Sequence, residues 1–188
     1  MLPRHPPKCP PKPMARHWLM GDARLGDDLL AAARKLPPGS AIILRPHAMT
    51  AAQLTPAYLR KLRVIVRGRR HMLLHSSHTP LGFDGVHASG GRLRGRAKPL
   101  SFPVHNPYDL AAARRAGAHH VLISPIFASA SHVGAAGMGL GRFKQLAQAA
   151  RKAGMVAIAL GGMDATRFRT LRRHGAAGWA AIGAWLRG

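Results

Sequence analysis

The chain contains no glutamate. Its six acids are all aspartates (Asp22, Asp27, Asp28, Asp84, Asp109 and Asp164), set against 29 lysines and arginines. The formal charge is +23, which attracts phosphates of any kind, nucleic acids included. There is a single cysteine, Cys9. One thiol excludes an internal disulfide framework and a cysteine-based zinc set, and it fits a cytoplasmic location. Aromatic residues are 5% of the chain, so the cations lack the aromatic interleaving of a single-strand nucleic-acid binder. No apolar run is long enough to cross a bilayer, and no membrane partner is expected. The N-terminal stretch "MLPRHPPKCPPKPMARH" carries basic residues with no apolar segment after them, so it does not read as a signal peptide.

What is present is a globular composition. Apolar residues make up 47% of 188 residues, enough for one domain with a core. The positive charges are spread along the whole chain and form no single block. On that ground a nucleic-acid partner is not expected despite the high charge.

Residues 1–15, rich in Pro and Lys, read as a flexible tail ahead of a single domain over 16–188. Within that domain short apolar runs alternate with helical patterns. Strands are predicted at "RHWLM" (16–20), "SAIILR" (40–45), "HMLLH" (71–75), "FDGVHA" (83–88), "LSFPV" (100–104), "HHVLISPIF" (119–127), "MVAIALGG" (155–162) and "GWAAIG" (178–183). Helices are predicted at 26–36, 55–67, 106–118, 139–154 and 164–175. Thr55, Asn106 and Asp164 stand as their caps in three cases, and Pro56 and Pro107 occupy the first helical position in two. "AWLRG" begins a last helix that the chain barely completes.

Strands alternating with helices imply right-handed crossovers and a parallel sheet, and eight such units imply a closed (β/α)8 TIM barrel. A doubly wound open sheet would want a Gly-rich phosphate loop after the first strand, which "LMGDARLGDD" does not supply. The barrel is predicted to be trimmed, with the helices after strands three and four reduced or missing. Apolar strand faces left bare there could be buried by association into a homo-oligomer.

The stretch "VAIALGGMDATRF" (156–168) carries the most chemistry. A strand stops on two glycines just before a helix N-terminus, where backbone N–H groups can meet an anion. The alternative is that the pair only makes a tight strand-to-helix turn.

Several short motifs then occur in order: "ILRPH" (43–47), "GFDGVH" (82–87), "VHNPYDLAAARRAGAHHV" (104–121), "SPIFASASH" (124–132), "GMGLGRFKQLA" (137–147), "VAIALGGM" (156–163) and "GAAGWAAIGAW" (175–185). They resemble the thiamine phosphate synthase / TenI family. The resemblance implies a (β/α) barrel in the cytoplasm. It also implies an activity in thiamine biosynthesis, the transfer of an aminopyrimidine from its pyrophosphate to a thiazole phosphate with Mg²⁺ and release of pyrophosphate. Carried over residue by residue, it implies phosphate binding at Gly161, Gly162, Ile182 and Gly183. "SPIF" at 124–127 matches the synthases better than the TenI tautomerases, which use a histidine there.

The catalytic half departs from the family. Arg45 matches the arginine after strand two, but the family's lysine is His47 and its glutamine is Ile43. Its Asn-Asp pair falls on His75-Ser76, the second magnesium carboxylate falls in the acid-free "ASGGR", and its pyrophosphate loop reads Ser129-Ala130-Ser131-His132. The candidate catalytic set is therefore Arg45, His47, His75, Ser129, Ser131 and His132, and no metal is assigned, because Mg²⁺ needs oxygen ligands and normally carboxylates. Two readings of the histidines stand side by side: cationic stand-ins that meet pyrophosphate, or drift in a degenerate site. Two functions stand beside them, a synthase-type transferase and an inactive binder or regulator that takes phosphorylated thiazole and pyrimidine metabolites.

Overall fold

The computed structural model describes residues 14–76, 82–88, 100–128 and 136–186. Its strands are β1 His17–Met20, β2 Ala41–Leu44, β3 Met72–Ser76, β4 Gly85–His87, β5 Ser101–Val104, β6 His120–Ile123, β7 Val156–Leu160 and β8 Gly178–Ala181. Each pairs in parallel with the next, and β8 returns to β1, so the eight form a closed barrel. Five α-helices stand among the described residues: α1 Asp28–Lys35, α2 Pro56–Gly68, α3 Pro107–Arg115, α4 Gly139–Lys152 and α5 Ala165–Arg172. This is the predicted (β/α)8 TIM-barrel architecture. No described helix is long and apolar enough to cross a membrane.

Three helices start where their caps stand. Thr55, Asn106 and Asp164 each accept a bond from the backbone N–H three residues on, at Tyr58, Asp109 and Arg167. These bonds satisfy donors that a helix start leaves orphaned.

The strand pleat sorts alternate residues into two cores. Trp18, Met20, Ile43, Met72, Leu74, Leu122 and Ile158 point inward and fill the barrel. Trp18 is fully buried and its indole N–H donates to the Ala15 carbonyl at 2.8 Å, so the interior is a packed plug rather than a pore. The outward residues of β1–β3 meet α1 and α2 around Leu19, Ile42, Leu62 and Leu73. Those of β5–β8 meet α3, α4 and α5 around Phe102, Val121, Phe143 and Trp179. Each fully buried large side chain contributes about 1.5–3 kcal/mol.

The last predicted helix is a short 3₁₀ turn, Gly183–Trp185. Trp185 stacks on Trp179 with ring centroids 4.0 Å apart and donates its indole N–H to the Trp18 carbonyl, which covers the β8–β1 seam. The reduced helices expected after β3 and β4 fall mainly on 77–81 and 89–99, and the tail on 1–13, all outside the described residues.

Candidate active site at the C-terminal strand ends

Asp22 and Arg45 follow β1 and β2, which are neighbours in the barrel. Arg45 Nη2 donates to Asp22 Oδ2 at 2.8 Å, and its Nε donates to the Gly21 carbonyl at 3.1 Å. Arg24 grips the same carboxylate through Nε at 2.7 Å and Nη2 at 2.9 Å. The Arg24 hydrogen bond, aided by the charge of Arg45, holds the Asp22 carboxyl below its ordinary pKa. Burial pulls the Arg45 guanidinium down, and the attraction of Asp22 opposes that. Two guanidiniums around one carboxylate leave one net positive charge. His47 sits exposed in the turn Pro46–Ala48 that follows.

His87 points into the barrel from β4 and shares a hydrogen bond with Ser101 Oγ at 2.9 Å; both residues are buried. Burial, then the nearby charges of Arg45 and His47, push the His87 imidazole down to about 3, so it is neutral at physiological pH. Its register partner Ser76 is 1% exposed, and its hydroxyl has no hydrogen-bond partner among the described residues. His75 does not join this group. In the pleat it alternates with the inward Leu74, and it lies edge-on to Phe83 at 5.4 Å on the helix side of the wall. His105, following β5, donates from Nδ1 to the Ser124 carbonyl at 2.7 Å. A carbonyl only accepts, so Nδ1 carries the hydrogen of this bond.

On the other side of the mouth, Gly161 and Gly162 follow β7 with φ of 99° and 61°. Both are also close-approach positions. A Cβ on Gly161 would lie 2.8 Å from Pro125 Cα, and one on Gly162 would lie 2.8 Å from the Ala128 carbonyl oxygen. The pair therefore makes a tight turn and also lets the segment after β6 pass against it. Arg167 donates to the Gly162 carbonyl and lies over the Phe127 ring at 4.8 Å. Asp164 caps its own helix as expected. Ile182 and Gly183 follow β8, whose register with β7 pairs Leu160 with Ala180, so the two turns stand side by side on the rim. Open space surrounds the Cβ position of Gly183. Ser129, Ser131 and His132 lie outside the described residues.

Magnesium, which the sequence resemblance implies, does not fit the side chains at this mouth. Ser76 offers a hydroxyl where a carboxylate would be needed, and the carboxylate nearest Arg45, Asp22, is already taken by two arginines. No cluster of metal-binding side chains occurs among the described residues.

Sequence reasoning missed Asp22, His87, His105 and Arg167. A signal for Arg167 was available, since it stands three residues after a cap and beside a glycine turn. Asp22 had none, because its meaning depends on the pairing of β1 with β2.

A comparison with curated proteins gives no match. Among solved structures, the chain is 18% identical to thiamine phosphate pyrophosphorylase from Pyrococcus furiosus, with a TM-score of 0.70 over 90% of this chain and 86% of that one. It is 15% identical to thiamine phosphate pyrophosphorylase from Bacteroides thetaiotaomicron, with a TM-score of 0.54 over 93% and 86%. An HpcH/HpaI aldolase from Desulfitobacterium hafniense is also similar, at 11% identity and a TM-score of 0.59 over 89% and 86%. Those likenesses concern the fold. The sequence profile described as thiamine monophosphate synthase matches residues 40–185, most of the chain, and on that match the chain belongs to the thiamine monophosphate synthase family.

Proposed function

We propose that this protein binds the phosphorylated precursors of thiamine at the C-terminal rim of its barrel, and that it does so without a protein-held metal ion. The observation that carries the reading is the pair of adjacent turns after β7 and β8. Gly161-Gly162 and Ile182-Gly183 stand where backbone N–H groups serve a phosphate ester in barrels of this kind. Arg167 adds a cation beside the first turn. A pyrophosphate group would meet the net positive charge of the Arg45–Asp22–Arg24 cluster, with His47 in the turn that follows; Ser129, Ser131 and His132 are proposed as further contacts on the sequence resemblance alone.

In the transfer reaction a C–O bond to pyrophosphate breaks and a bond forms from the thiazole nitrogen to the pyrimidine methylene carbon. The protein's task is to position the two partners and to stabilise the departing charge. The neutral His87 and the hydroxyl of Ser76 are suited to hydrogen bonding rather than to charge neutralisation.

A specific observation favours a second reading, binding without turnover. Arg45 is already committed to Asp22 and the Gly21 carbonyl. Both readings are tested together. Calorimetry with thiazole phosphate in the presence of a chelator should show binding. A turnover assay with both precursors, with and without Mg²⁺, should show product formation that is slow or absent and unchanged by the metal. No calorimetric binding would overturn the phosphate site, and rapid Mg²⁺-dependent synthesis would overturn the metal-free reading.

A further inference from the structure

The strands all run one way and the helices return the other way, so the topology sorts residues by their place within an element. Helix C-termini and strand N-termini share the end of the barrel opposite the mouth. α1 ends on Arg34 and Lys35, α2 on Arg67, and α3 on Arg114 and Arg115. α4 ends on Arg151 and Lys152, and α5 carries Arg169 and Arg172 in its last turn. Arg16 precedes β1, and Arg70 stands just ahead of β3.

The acids sort the opposite way. Asp22 follows β1, Asp27 and Asp28 open α1, and Asp109 and Asp164 start α3 and α5, so five of the six acids sit at the mouth. Only Asp84, just ahead of β4, stands at the far end. The described cations stand at both ends, but those at the mouth share it with five aspartates and those at the far end with one, so the fold concentrates net positive charge on one face, which removes the ground for expecting no nucleic-acid partner.

Two clefts open on this face. One, of about 490 Å³, lies between the C-terminal half of α2 and the starts of β3 and β4, lined by Arg63, Arg67 and Arg70 with Asp84 as its single acid. The other, of about 460 Å³, lies between the ends of α3 and α4 and presents Arg114 and Lys152. The helix dipole alone favours cations at helix C-termini. The same preference draws the aspartates to helix starts, and with no glutamate in the chain the cations of the far face are left with one acid among them. Like charges crowded on one face destabilise the folded chain, and an anionic partner relieves that repulsion.

We infer that the face opposite the mouth binds the phosphate backbone of duplex nucleic acid without reading its sequence. Arginine dominates the face, and its planar fork matches phosphate oxygens in pairs. A single strand would need exposed aromatic platforms, and a membrane surface would need apolar side chains to insert. Among the described residues the exposed large apolar side chains are Met14, Val64, Tyr108 and Leu140, and of these Met14 and Val64 lie towards this end, on separate elements and without forming an apolar patch. Tyr108 and Leu140 open α3 and α4 and so face the mouth. Spaced cations without stacking partners fit a duplex backbone.

The test uses the full chain and a short labelled duplex of scrambled sequence, titrated by fluorescence anisotropy across a series of salt concentrations. The logarithm of the binding constant should fall linearly with the logarithm of salt, with a slope of about −4 or steeper. The triple variant Arg67→Glu, Arg114→Glu, Arg151→Glu should weaken binding by at least about tenfold and make the slope shallower by about 3. A control with the same charge change on exposed helix starts, Arg60→Glu, Arg142→Glu, Lys144→Glu, should lose clearly less. Circular dichroism reports whether each variant folds. Glutamine at Arg67, Arg114 and Arg151 serves if the glutamates do not fold, and the same ordering is expected. Equal losses in the two triples would overturn the inference in favour of net charge alone. It would also fail if the duplex did not bind at physiological salt, or if phosphatidylserine vesicles bound and the duplex did not.

Discussion

Arg45 Nη2 lies 2.8 Å from Asp22 Oδ2, and this contact ties the end of β2 to the end of β1. The carboxylate is mostly enclosed, with 11% of its side chain exposed, whereas Arg24 on its other flank is 49% exposed. Removing the carboxylate leaves a part-buried guanidinium uncompensated. Asp22→Asn should therefore destabilise the fold by about 2–3 kcal/mol. Arg24→Ala, whose partner keeps Arg45, should lose under about 1 kcal/mol. Urea unfolding of the three proteins at neutral pH checks the ordering. The folded carboxyl titrates below its unfolded value, so its stabilising effect is present above about pH 4 and fades as pH falls through the folded value. In Asp22→Asn that acid-dependent component should be absent.

Histidine titration predicts a second dependence, at milder pH. His87 binds its proton only near pH 3 in the folded state, against 6.5 for the unfolded group. From pH 6.5 downward the unfolded chain is protonated and the folded chain is not, so acid drains stability, by about 2 kcal/mol at pH 5 from this residue alone. His17, His71 and His120 are lowered too, chiefly by burial, and act in the same sense. Unfolding measured at about pH 7.5 and about pH 5 should show a clear loss that shrinks, without vanishing, in His87→Gln. An unchanged pH dependence in that variant would mean that His87 is not the buried neutral group described.

The barrel was legible because its signals are local. Thr55, Asn106 and Asp164 announce helix starts by chemistry within three residues, and apolar runs such as "VAIAL" announce strands. Of the candidate site, positions at strand ends, such as Arg45 after β2 and Gly161-Gly162 after β7, were legible because an apolar run stops just before each. His75 shows why the rest was not: a residue's neighbour in sequence points to the opposite face, so a motif carried over two adjacent positions delivers only one of them to the mouth, and here that is Ser76. Asp22 and the basic far face depend on strand pairing and on helix direction, which no single stretch records.

Asn106 offers a direct check on the local part. Its side chain accepts from the Asp109 N–H at 2.9 Å, and the Asp109 carboxylate accepts from the His105 N–H at 2.8 Å. Asn106→Ala should lose about 1 kcal/mol, and Asp109→Ala a comparable amount. The double variant should lose less than the sum, because the two bonds fix the same turn. Strict additivity in thermal unfolding would show that the bonds act independently.

The two glycine turns separate binding from folding. At Gly162 a side chain meets the Ala128 carbonyl oxygen at 2.8 Å, and φ is 61°. At Gly183 nothing lies within 4 Å of the Cβ position. Gly162→Ala should therefore lower both stability and phosphate-ester affinity, and its binding loss alone proves little. Gly183→Val should keep the melting temperature near that of the parent, because the branch enters open space at the mouth. It should also weaken thiazole phosphate binding by about tenfold or more, because the branch crowds the N–H groups proposed to hold the ester. Calorimetry and thermal unfolding on the same preparation read the two effects separately. A stable Gly183→Val protein with parental affinity would move the phosphate site away from the end of β8.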